Sequence, residues 1–120
     1  MARYVLLLRD DEVDYDTMPP QDFEALFQKF VEWAEALQRD GVLSGVERLS
    51  APSEGRTVRR RHGALVVDGP YVEGKEAVLG FFVVEARDAA HAAEIASGCP
   101  SLPIGGTVEV REIAPFPAPR

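Results

Sequence analysis

Asp68, Glu73, Lys75 and Glu76 fall in one short polar stretch just before the strongest strand, and they combine a lysine with three carboxylates. A lysine and carboxylates that converge on a polar small molecule can transfer protons or stabilise charge. Asp68, Lys75 and Glu76 are therefore the candidate catalytic groups. Tyr4, Asp68, Tyr71, Glu73 and Lys75 are the candidate ligand-binding groups. Each has a structural alternative. An aspartate before Gly69-Pro70 readily accepts hydrogen bonds from turn amides. Lys75 and its acidic neighbours can equally form a solvated loop or a surface ion pair worth under ~1 kcal/mol.

The remaining reactive side chains form no chemical motif. His62 and His91 are far apart and lack the spacing of a metal site. Cys99 precedes Pro100 at the end of an expected helix and has no base nearby in sequence, which reads as a buried, inert thiol. Arg59-Arg60-Arg61 can clamp phosphate or an acidic partner. On a strand, however, alternate residues face opposite ways, so the run reads as a charged edge that discourages aggregation. Trp33 borders an apolar helix face, where packing is the simple role and ligand stacking the alternative. Gly105-Gly106 leads into a strand rather than a helix, so it lacks the setting of a phosphate loop. No residue pattern calls for a cofactor or a metal.

The elements that must carry these groups are legible from periodicity. Tyr4–Leu8 is a short apolar run between charges and reads as a buried strand. Pro19-Pro20 opens a helix whose apolar face is Phe23, Leu26, Phe27, Phe30, Ala34 and Leu37, with Gly41 at its end. Asp22, Glu24 and Arg39 carry the signs that the helix dipole favours at its two ends. Val42–Leu49 reads as a strand, and Thr57–Arg61 and Ala64–Val67 as a hairpin around His62-Gly63. Val78–Ala86 is the strongest strand. Asp88 is placed to cap an alanine-rich helix reaching about Ser97 and closed by Gly98, with Ala89, Ala92, Ala93 and Ala96 on one small-residue face. Thr107–Ile113 alternates as a last strand, with Val108 and Val110 set against Glu109 and Arg111.

This order predicts an α+β, ferredoxin-like split βαβ with an inserted β-hairpin. It occupies residues 1–113 as a single domain, and 114–120 form a Pro-rich tail. Right-handed crossovers put both helices on one side of the sheet. Yet Tyr4–Leu8 and Leu79–Val84 are apolar on both faces. The second face is expected to meet a second copy of the chain, as a dimeric α+β barrel with two-fold symmetry. The alternative is that the hairpin or the tail folds over it.

Composition bounds the function. The 120 residues carry 13 Lys+Arg against 20 Asp+Glu, a net charge of −7, which argues against direct nucleic-acid binding. A chain with 46% hydrophobic and 28% charged residues reads as globular. One cysteine excludes an internal disulfide framework. Arg9-Asp10-Asp11-Glu12 ends the first apolar run too early for a signal peptide, and no stretch approaches the ~18 apolar residues of a membrane span, so a cytoplasmic location is expected.

Three stretches give the chain a relative. They are Arg3-Tyr4-Val5-Leu6-Leu7-Leu8 before an acidic loop, Asp68-Gly69-Pro70-Tyr71-Val72-Glu73-Gly74-Lys75-Glu76 leading to Leu79-Gly80-Phe81, and Cys99-Pro100 followed by Gly105-Gly106-Thr107-Val108-Glu109-Val110-Arg111. Together they resemble the YCII-related family in its DGPF branch. The resemblance implies a dimeric α+β barrel and no settled activity. Tyr71 stands where that branch has phenylalanine, and Gly74 where it usually has a small hydroxyl residue. Narrower YCII proteins carry a suspected catalytic His near the start of the first helix and an Asp after the second. Here the first helix has no histidine and Gly98-Cys99-Pro100 follows the second, so that pair does not carry over.

The leading expectation is a cytoplasmic homodimeric small-molecule-binding or accessory protein. The rival is a cofactor-independent enzyme using Asp68, Lys75 and Glu76. The resemblance adds a third reading, a regulatory partner of an extracytoplasmic-function sigma factor.

Overall fold

The structure, a computed structural model, describes residues 1–9, 17–51, 54–68 and 78–117. Its elements run β1 (Ala2–Arg9), α1 (Pro20–Arg39), β2 (Leu43–Arg48), β3 (Thr57–Arg61), β4 (Ala64–Asp68), β5 (Val78–Ala86), α2 (Ala89–Ala96) and β6 (Thr107–Glu112), with a short 3-10 turn at Leu102–Ile104. One sheet has the order β2-β5-β1-β6, and each neighbouring pair is antiparallel. β1 and β2 flank β5, so they run parallel to each other with α1 between them in sequence. That is the split βαβ expected from the pattern. β3 and β4 form a separate two-stranded sheet.

Local chemistry explains the helix limits. Pro20 sits at the start of α1, where its missing N–H is no loss, and Asp22 lies in the first turn. Gly41 follows the helix at φ 74°, the left-handed position that releases the chain toward β2. Asp88 caps α2 by accepting a hydrogen bond from the His91 backbone N–H at 2.8 Å. Gly98 acts differently from Gly41. It is not among the glycines with positive φ, but a Cβ there would meet Trp33 Nε1 at 3.0 Å. It closes α2 by letting the indole of α1 approach.

Both helices pack on one face of the four-stranded sheet. Tyr4, Leu6 and Leu8 of β1 and Phe82, Val84 and Ala86 of β5 form the core with Leu37, Ala92, Ala96 and Cys99. Val108 and Val110 of β6 pack against it. The Trp33 ring lies 4.5 Å from that of Phe82, so packing is its role. On α2 the buried positions are Ala92 and Ala96, while Ala89 and Ala93 are exposed. The four-alanine face is thus corrected to a narrower one completed by Ile95 and Cys99, because an eight-residue helix lays only its inner stripe on the sheet. Phe27 of α1 is 48% exposed, so the N-terminal half of that helix is less covered than its spacing suggests.

The opposite face carries Val5 and Leu7 of β1, Phe81 and Val83 of β5, and Leu79 and Leu49, whose backbones are joined by a hydrogen bond. None of these six is buried. Among the described residues of the hairpin and tail, Val58, Leu65, Val67 and Phe116 are exposed, and Val66 is half-buried.

Candidate functional site

The candidate residues divide between two sheets. Asp68 ends β4, and its Oδ2 accepts from Arg59 Nε at 2.8 Å across the hairpin. Arg59 and Asp68 lie on the same side of the two strands, since Arg59 pairs with Val66 and Thr57 with Asp68. The half-exposed ion pair joins the two strands and neutralises the carboxylate locally. Tyr71, Glu73, Lys75 and Glu76 lie outside the described residues.

Tyr4 belongs to the main sheet. Its ring is 4% exposed, in the core beneath α2, and its hydroxyl donates to Glu112 Oε1 at 3.2 Å. Tyr4 and Glu112 are register partners in the β1–β6 pair. Burial pushes the phenol above its usual value of 10.0; the hydrogen bond to Glu112 and the negative charges of Glu112 and Asp88 push the same way. The phenol therefore stays neutral at physiological pH and serves as a donor that pins the start of β1 to the end of β6. No hydrogen bond or ion pair links Tyr4 to Asp68 among the described residues.

Sequence reasoning missed Glu112. The signal was present in part: position 112 has the same parity as Val108 and Val110, so the alternation places this exposed carboxylate at the strand end on the side of Tyr4, whose buried ring needs an acceptor for its hydroxyl. Beside it, the start of β1 (Met1, Ala2, Arg3) and the exit of β6 (Glu112 and residues 113–116) border a surface groove of about 550 Å³.

The open sheet face holds a second polar cluster. Arg9 Nη2 lies 2.7 Å from Glu109 Oε1, and Arg111 Nε lies 3.7 Å from Glu109 Oε2. With Arg3, Glu47 and Glu85 this face carries three arginines and three glutamates around its apolar stripe.

The other reactive groups take structural places. His91 Nδ1 accepts from the Arg87 backbone N–H at 3.1 Å, which ties the imidazole to the α2 N-terminus. Cys99 is buried, with its Sγ 3.4 Å from the Oγ of buried Ser101. Among the described residues no group of three or more His, Cys, Asp or Glu side chains is placed to hold a metal ion. No described helix is long and apolar enough to cross a membrane.

Comparison with known proteins gives the chain a family. An uncharacterised protein of Rhizobium meliloti (strain 1021) is 30% identical over 122 residues, covering 95% of this chain and 93% of its own length. The model of the YCII-related domain matches residues 2–117, nearly the whole chain from β1 to beyond β6, and the chain therefore belongs to the YCII-related family.

Proposed function

We propose that this chain works as a cytoplasmic homodimer of the DGPF type, its two open sheet faces in contact, and that it binds a small polar molecule or assists another protein's chemistry. The observation that carries the reading is the apolar stripe of Val5, Leu7, Leu79, Phe81 and Val83, which neither helix covers. Four strands spaced about 4.8 Å apart and about 20 Å long present a face of about 400 Å² in plan, roughly half of the ~800 Å² that one partner contributes to a standard interface. The face is also suited to a copy of itself. A chain of net charge −7 repels its twin, but this face carries equal numbers of Arg and Glu. A two-fold axis can set each arginine near a glutamate. The DGPF assignment rests on Asp68-Gly69-Pro70 and the polar residues that follow it.

Sedimentation at micromolar concentration tests the assembly. The expected species has twice the 13.2 kDa chain mass, and Phe81→Asp reduces it to a folded single chain. A single-chain particle for the unaltered protein overturns the reading. For the ligand, a panel of polar metabolites is expected to contain one that raises the melting temperature, through a stabilisation of about 2.7 kcal/mol at a hundredfold excess over its Kd. Lys75→Ala should remove that rise and leave the dimer intact; a rise unaffected by Lys75→Ala places the ligand elsewhere.

A further inference from the structure

The β3–β4 hairpin has two unlike faces. Thr57, Val66 and Asp68 share one face and are half-buried. Val58, Leu65 and Val67 share the other and are 62%, 63% and 58% exposed. An isolated two-stranded hairpin is at best marginally stable in water, because it lacks a layer to bury its apolar side. This one is well specified all the same. His62 and Gly63 both take positive φ, 49° and 79°, the geometry of a tight two-residue turn, and Arg59 clasps Asp68. A firmly built hairpin with an uncovered apolar face has the form of an arm meant to lie on something else. The molecule is also extended for its length: its radius of gyration is 16.5 Å, where a 120-residue domain would have about 14 Å.

Charge identifies the occupant. Residues 56–68 hold four arginines and one aspartate, a net +3, in a chain whose total is −7. The rest of the chain therefore carries −10. A basic arm with an apolar face is complementary to an acidic body, and the acidic body most available to it is that of a second copy. We propose that the hairpin is an exchanged arm: in the homodimer each copy lays Val58, Leu65 and Val67 on the body of the other, held in register by the arginines around them. This rests on the dimeric reading for the presence of a second copy, and not on which sheet face joins the two. Nucleic acid fits less well, since the arm has no Phe, Tyr or Trp to stack on bases and its own body repels phosphate.

Sedimentation of two variant sets beside the unaltered protein separates the readings. Val58→Ser/Leu65→Ser/Val67→Ser changes only exposed positions, so the body folds, and the dimer Kd is expected to rise about tenfold or more. Arg60→Glu/Arg61→Glu should weaken the dimer as well, and raised salt should weaken the unaltered dimer by screening the same attraction. If the triple variant dimerises as tightly as the parent while Phe81→Asp is monomeric, the arm proposal falls and the sheet contact stands. If Phe81→Asp stays dimeric and the triple variant does not, the sheet contact falls and the arm stands. A parent protein that is a single chain overturns both. Binding of a DNA or RNA oligonucleotide that is lost in Arg60→Glu/Arg61→Glu, with an unchanged dimer, also overturns the arm's role between copies.

Discussion

Leu6 and Leu7 are adjacent, identical in type and in the same strand, yet the fold treats them oppositely. Leu6 is fully buried under the helices, whereas Leu7 is half-buried on the uncovered face. Alternation along β1 sends one to each side, and two helices on one side leave the other to be covered by something else. Residue type alone therefore says little about what a core leucine contributes; the layer that lies over it decides.

The contrast can be broken most sharply by truncating both. Leu6→Ala removes a fully enclosed side chain and should lower the unfolding free energy by about 2–5 kcal/mol. Leu7→Ala, measured by urea denaturation at a protein concentration too low for dimer, should shift it by less than about 1.5 kcal/mol. Equal losses would mean that the second face is sealed within one chain. A smaller effect is expected from loosening the cover itself. Asp88→Ala leaves the His91 N–H without its cap and should cost about 1 kcal/mol, with faster amide exchange confined to the first turn of α2.

The smallest effect sharpens the covered side at its rim. The Tyr4 phenol titrates above 10.0 in the folded state, so folding favours its protonated form. The associated stability is fully present below the unfolded value and is lost as pH rises through the folded value. Alkaline denaturation curves should therefore fall less steeply for Tyr4→Phe than for the parent, while at neutral pH that variant loses only the hydrogen bond to Glu112. Identical alkaline slopes would show that the phenol is not enclosed.

Much of the architecture was readable from residue patterns. The period of three and four from Phe23 to Leu37, the alternation in Val78–Ala86 and the capping aspartate at position 88 each report a local constraint that the backbone must satisfy, and each appears in the structure. The two-residue hairpin turn at His62-Gly63 is equally local. The site was less legible. The two-residue turn sets the hairpin register and so puts Arg59 and Asp68 on one side, but which of the exposed side chains close on each other is a matter of rotamers that no residue pattern reports. Glu112 became visible as Tyr4's partner only when β1 and β6, far apart in sequence, were aligned.

By itself, then, the sequence determined where the chain turns, which stretches are helix or strand, and that one sheet has two apolar faces, because those properties depend on neighbours within a few residues. Tertiary structure decided which face the helices take, that Gly98 yields to an indole instead of adopting a left-handed turn, and that the hairpin leaves Val58, Leu65 and Val67 in water. Those outcomes depend on contacts between segments many residues apart, and the energy of such contacts is set by the packing of whole layers.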